Sequence, residues 1–267
     1  MSHDFSEAGY GQVPAHSSVP ASRHWWDLDA DEYFAEHGDF LGDSELVWGP
    51  EGIIEDDVAH LGNVAGLIVL EIGCGGAHGA RWAIKNGAKA IAADLSFAML
   101  RHGQRLNKVS GDHPPLVQGN GIEMPFADES FDVVFTAYGV VPFIPQLDDL
   151  HREVARVLKP HGRWVYSTTH PIRWAFPDSP TETGLTVSRP YFDTTPYAEW
   201  QGKKVVYVEH HHTMSAHVRA LSKAGFLLHD VREPQWPAHN QQTWGGWSPL
   251  RGKYLPGTAI FISQKLI

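Results

Sequence analysis

The segment Leu70-Glu71-Ile72-Gly73-Cys74-Gly75-Gly76 closes an apolar run with a cluster of glycines. Between a strand and a helix such a loop lets backbone N–H groups and a helix N-terminus approach a ligand, because glycine has no side chain to obstruct it. Taken alone, the loop is also compatible with a tight turn that holds nothing. It is compatible too with a nicotinamide dinucleotide site, since Gly73, Gly75 and Gly79 fit a loose G-x-G-x-x-x-G pattern. Asp94 tilts the balance towards an adenosine-bearing ligand. It ends a second apolar run about twenty residues on, where a carboxylate can accept both ribose hydroxyls but would not suit a 2′-phosphate. The competing reading of Asp94 is a cap for the helix after Leu95-Ser96.

Two further side chains stand where chemistry is expected in an open α/β sheet, beyond the carboxyl ends of the strands. Tyr138 follows the run Phe131 to Thr136, and His170 follows Arg163 to Thr169. If a general base is needed, His170 is the favoured candidate. Its alternative is a strand-end turn residue whose ring bonds the backbone before Pro171. His210-His211-His212 invites a metal reading, but neighbours on a strand point to opposite faces and no H-x-x-x-H or H-E-x-x-H spacing accompanies them. No metal is expected, and these histidines should flank a helix starting near Ser215.

The elements that must position these residues alternate in the βαβ rhythm of a parallel sheet. Strands are expected at Leu67 to Ile72, Ala90 to Asp94, Leu116-Val117, Phe131 to Thr136 and Arg163 to Thr169. Helices are expected at Ala77 to Lys85, Phe97 to Leu106 and Leu147 to Leu158, the last stopped by Pro160-His161-Gly162. Val205 to Glu209, Phe226 to Val231 and Thr258 to Ile262 read as later strands, with a helix over Ser215 to Ala224. Residues 1–24, rich in Ser, Ala, Pro and His, read as a flexible tail before a single domain over 25–267. Residues 25–62 read as short cap helices, including one over Asp29 to Phe34, and the proline-rich stretch 170–203 as an inserted lid.

Composition bounds the partners. The 267 residues suit one α/β domain. Acidic residues outnumber basic ones 31 to 21, and no Lys/Arg cluster could neutralise a row of phosphates, so neither nucleic acid nor an anionic membrane is expected. Cys74 is the single cysteine, which excludes an intrachain disulfide framework and suits a reducing compartment. A cytoplasmic protein is expected, with a homodimer the one assembly considered.

The motifs Val69-Leu70-Glu71-Ile72-Gly73-Cys74-Gly75-Gly76, Ala93-Asp94-Leu95-Ser96, Gly119-Asn120-Gly121-Ile122-Glu123-Met124-Pro125-Phe126, Ser130-Phe131-Asp132-Val133-Val134 and Glu153 to Gly162 fall in order. In that order they resemble the class I S-adenosylmethionine-dependent methyltransferases of the type-11 branch, which includes ubiquinone and menaquinone C-methyltransferases. The resemblance is strong over residues 67–169. It implies a Rossmann-like α/β fold with a mostly parallel seven-stranded sheet, S-adenosylmethionine as cofactor, S-adenosylhomocysteine as product and a small-molecule methyl acceptor. It further implies that Glu71 and the backbone of Gly73, Cys74 and Gly75 hold the methionine moiety. Asp94 would take the ribose, Leu95 would lie on the adenine, and Asn120, Gly121 and Ile122 would meet the adenine amine. Relatives often carry Asp at position 120 and Gly at position 77; here Asn120 can still accept from the amine, and Ala77 would narrow the loop.

Tyr33 resembles the family's N-terminal tyrosine that closes over the methionine end, with Trp26 and Trp48 as further rings for the sulfonium; core packing is its alternative. Tyr138 and His170 would then face the transferable methyl group. The aromatics Trp174, Phe176, Tyr191, Phe192, Tyr197, Trp200, Trp236, Trp244 and Trp247 would wall an apolar pocket for an apolar or aromatic acceptor. A nucleotide-dependent oxidoreductase and a non-catalytic cofactor-binding protein are the competing readings.

Overall fold

The protein is described by a computed structural model over residues 6–267. The elements run β1 (Glu7–Tyr10), α1 (Ala15–Leu41), α2 (Glu55–Val58), β2 (Ile68–Ile72), α3 (His78–Lys85), β3 (Lys89–Asp94), α4 (Phe97–Ser110), β4 (Leu116–Gln118) and β5 (Phe131–Thr136). They continue as α5 (Leu147–Val157), β6 (Leu158–Thr169), β7 (Tyr197–Gln201), β8 (Lys204–Glu209), α6 (Met214–Lys223), β9 (Phe226–Arg232), α7 (Pro249–Gly252) and β10 (Thr258–Lys265).

Seven strands form one sheet in the order β4-β3-β2-β5-β6-β10-β9. The β4 to β6 pairs are parallel, and β10 runs antiparallel to both β6 and β9. This is the mostly parallel seven-stranded Rossmann-like sheet that the resemblance implies. Central strands read as unbroken apolar runs because helices cover both faces; in β2, Val69 to Ile72 are all buried. On one face α5 presents Leu147, Leu150, His151, Val154 and Val157 at helical spacing, and its four apolar residues join Trp164, Tyr166, Leu221 and Phe261 in the larger core cluster. On the other face Leu46, Trp48 and Leu61 pack with α3 against Val133 and Ile260. Helix α4 ends at Gly111 in the left-handed region, the common stop for a helix. Helix α5 stops at Val157, and β6 runs on from Leu158, earlier than the Pro160-His161-Gly162 stop expected from sequence.

The N-terminal region departs from the sequence reading. Of the expected tail, residues 1–5 lie outside the described residues, whereas Glu7–Tyr10 pairs with β7 and Ala15–Leu41 is a single long helix that runs through Pro20. The expected short helix at Asp29 to Phe34 is its second half. This helix lacks a regular apolar stripe because it packs with small residues: Ser18 is fully buried and its hydroxyl lies 2.9 Å from His210 Nε2, while Ala21 meets Ala198 and Val208. The stretch expected as a lid, 170–203, contains the whole of β7, which with β1 and β8 forms a three-stranded antiparallel sheet. Helix α1 and this small sheet together roof the carboxyl ends of the main strands.

Candidate active site

A cavity of about 410 Å³ lies beneath that roof. One end is built by the β2–α3 loop. Gly73 adopts φ +60°, and a Cβ there would fall 2.3 Å from Val140 Cγ2, so the close approach of β2 to the Val140 segment requires glycine. Gly75 adopts φ +51°, and a Cβ there would meet nothing within 4 Å, because the position opens onto the cavity. Its N–H donates to Asp94 Oδ2 at 2.8 Å, while Asp94 Oδ1 accepts from Ser96 N–H at 2.8 Å. The α4 cap is therefore Ser96, whose hydroxyl oxygen accepts from Met99 N–H, and the Asp94 carboxylate ties the glycine loop to the end of β3. Each Asp94 oxygen retains acceptor capacity beyond its one backbone donor. Burial pushes the Asp94 carboxyl up to about 6.

Glu71 is buried and accepts from Ala80 N–H at 2.7 Å, inside the first turn of α3; burial pushes its carboxyl up to about 7. Cys74 is buried in the loop, and burial raises its thiol well above the usual range. Cys74, Glu71, Leu95, Asn120 and Gly121 all line the cavity. Ile122 does not: its N–H donates to Asn120 Oδ1 at 3.3 Å, and its side chain packs against the core. Tyr33, on α1, lines the cavity edge-on to Trp26 at 5.5 Å and to Trp244 at 6.0 Å between ring centroids.

The other end lies over β5 and β6. Tyr138 lines it with a left-handed backbone, φ 62°, and its hydroxyl donates to Gly257 O at 3.4 Å. Burial raises its phenol, so it is a poor base. Its N–H donates to Ser167 Oγ at 2.7 Å, one of the contacts that hold this uncommon conformation in place.

His170 is not brought to the cavity. Its Nδ1 accepts from Ile172 N–H at 3.1 Å, and its Nε2 lies 2.7 Å from Glu233 Oε1. Both ring nitrogens are taken, and the ring caps the turn Pro171–Ala175. The base assignment is thereby corrected to the turn reading, because Pro171 begins a 3-10 turn whose free N–H the imidazole satisfies. The three consecutive histidines follow β8 and take separate partners: Ser18 for His210, Tyr191 O for His211 and Ile144 O for His212.

Of the nine lid and loop aromatics, only Trp244 and Trp247 line the cavity. Phe192 is 82% exposed, and Trp174 stacks on His211 at 5.3 Å. Trp48 is fully buried beneath the site, its indole donating to Glu55. The aromatic wall is instead completed by Trp26, Phe40, Phe143 and Tyr207.

Sequence reasoning also missed a polar group at this end. Arg173 Nη2 lies 3.0 Å from Asp178 and its Nη1 3.5 Å from Glu209, and Tyr207 donates its phenol proton to Glu209 at 2.5 Å; all four line the cavity. The signal was partly present, since strand alternation over Val205 to Glu209 puts Tyr207 and Glu209 on one face.

Residues 70–166 match the family model described as a methyltransferase domain. A demethylmenaquinone methyltransferase from Corynebacterium kroppenstedtii is 40% identical over 79 residues, which span 30% of this chain and 31% of that relative. The chain thus aligns with about a third of that relative's length. Among solved structures, a methyltransferase from Mesorhizobium loti superposes with TM-score 0.61 at 24% identity, over 78% of this chain and 94% of that one. The 1,6-didemethyltoxoflavin-N1-methyltransferase of Burkholderia thailandensis, solved with its substrate and S-adenosylhomocysteine, gives TM-score 0.62 at 15% identity, over 97% and 95%. The glycine loop and Asp94 lie inside the matched segment, and the sheet order extends the same architecture beyond it. Residues 70–166 thus match a methyltransferase domain, carried in a chain whose fold is that of the solved methyltransferases.

Proposed function

We propose that the chain transfers a methyl group from S-adenosylmethionine to a small aromatic molecule. The observation that carries this reading is one continuous cavity. It runs from the Gly75–Asp94 pair, which offers a ribose-binding carboxylate beside an open glycine backbone, to an aromatic chamber over Tyr138.

The residues present fit the cofactor. Asp94 keeps acceptor positions for the ribose hydroxyls, Leu95, Asn120 and Gly121 supply an adenine wall, and Gly73, Cys74 and Gly75 line the cavity where the methionine end would lie. Tyr33 and Trp26 offer ring faces suited to a cation. When bound, the cofactor supplies a methyl group on a cationic sulfur. The chain's contribution is mostly orientation: the roof excludes water and the aromatic wall sets the angle of the acceptor.

Calorimetric titration with S-adenosylhomocysteine and with NADH tests the reading. Binding of S-adenosylhomocysteine alone is expected; binding of NADH alone would replace it with the oxidoreductase reading. Turnover of cofactor with any aromatic acceptor separates an enzyme from a cofactor-binding scaffold. The acidic balance of 31 to 21 supports a partner other than nucleic acid. Among the described residues no helix is long and apolar enough to cross a membrane. A cytoplasmic location and a homodimer belong to the same proposal, and sedimentation measures the latter.

A further inference from the structure

We propose that Glu209 is the group to which the methyl acceptor offers its proton, so that the acceptor is an aromatic ring bearing O–H or N–H. This rests on the methyltransferase reading. Glu209 ends β8, its side chain is 20% exposed, and it lines the cavity. Oε1 already accepts from Tyr207 at 2.5 Å, whereas Arg173 Nη1 stands 3.5 Å from Oε2, too far for a good hydrogen bond. A carboxylate offers about four acceptor positions, and one that is largely withdrawn from water is stabilised only when donors fill them. Oε2 thus has capacity for a donor from inside the chamber.

The alternatives along the same wall are weaker. Tyr138 and Tyr207 are phenols whose burial raises them further. Asp178 is 51% exposed and is shared between Arg173 and Arg251. At the far end, Glu71 is bonded to the first turn of α3 and Asp94 to the glycine loop. Around Glu209 the chamber is aromatic, with Phe143 edge-on to Tyr207 at 6.0 Å and to Trp26 at 5.6 Å.

In the step this implies, the acceptor's oxygen or nitrogen forms a bond to the methyl carbon. The carbon–sulfur bond breaks with its electron pair staying on sulfur, and the acceptor's proton passes to the Glu209 carboxylate. No oxidant or metal enters the balance.

The test uses the full chain saturated with S-adenosylhomocysteine and two probes of matched shape, 2-naphthol and 2-methoxynaphthalene, titrated by calorimetry. The wild type should bind the naphthol at least about tenfold more tightly, the effect of one hydrogen bond to a charged group. Glu209→Gln should reduce that ratio to within about threefold while leaving the methoxy probe's affinity unchanged, a pattern that general loosening would not produce. If Glu209→Gln melts early, Glu209→Asp keeps the charge, withdraws it by one methylene and should likewise lower the ratio. Equal binding of the two probes by the wild type overturns the inference, as does a preference that survives substitution or the failure of both probes to bind. Failure of S-adenosylhomocysteine itself to bind would instead remove the parent reading, and this one with it.

Discussion

The Asp27 carboxylate, on α1, accepts from the Ser96 hydroxyl at 2.7 Å, and the same oxygen accepts from Ala98 N–H at 3.1 Å. A residue of the roof thus helps cap the helix that begins just after Asp94. Asp27→Ala should cost about 1 kcal/mol, as for the loss of a helix cap, and lower the melting temperature by about 2–4 °C. It should also weaken S-adenosylhomocysteine binding several-fold, because Ser96 in turn donates its N–H to Asp94. Calorimetry on the variant checks both, and unchanged affinity would separate the roof from the cofactor end.

Asp94→Ala should weaken S-adenosylhomocysteine binding by about 1 to 3 kcal/mol, the cost of losing hydrogen bonds to a charged group. Burial holds the Asp94 carboxyl up at about 6 against an ordinary 3.8. In the free protein its contribution to stability is therefore full below 3.8 and lost as the pH rises through 6. Ribose hydroxyls favour the ionised form, so affinity should fall as the pH drops from 7 to 5. In Asp94→Asn that dependence should flatten.

His170→Ala tests the corrected role of that residue. Losing the cap on Ile172 and the Glu233 contact should cost about 1–2 kcal/mol in thermal unfolding. Turnover per folded molecule should remain within about twofold of the wild type; a loss of turnover of a hundredfold or more would return His170 to the reaction.

The histidines give a second pH signature of opposite sign. Burial pushes His151 down to about 3 and His210 and His212 down to about 4, from 6.5. Their contribution to stability is complete above 6.5 and is lost as the pH falls towards those values, because the unfolded chain takes up protons first. Each group adds a slope of up to about 1.4 kcal/mol per pH unit in that window. His212→Gln keeps a donor for Ile144 O and should make the acid side of the stability curve shallower, as urea titrations at pH 5 and 7 would measure.

The parallel sheet was legible because its strands are apolar runs buried on both faces, and the loop glycines and Asp94 lie at their ends. The roof was not. Helix α1 buries Ser18, Ala21 and Ser22, residues that carry no apolar periodicity, and it contains Pro20. β7 hides after a proline-rich stretch and is recognisable only beside β8. Arg173 and Glu209 come from segments 36 residues apart in number and meet only through tertiary packing. His170 shows the converse error: a reactive side chain at a strand's carboxyl end whose ring turns to local backbone because a proline follows.

The roof's first strand joins residues at opposite parts of the chain, Glu7 beside Trp200 and Tyr10 beside Tyr197. All of the roof, β1, α1, β7 and β8, precedes β9 and β10 in the chain, so its strands can pair before the main sheet has its last two. Strand β1 is only four residues long and lies at an edge, which makes it the first part to fray. The roof over the chamber is thus latched by one short edge strand, Glu7–Tyr10, held by its pairing with β7.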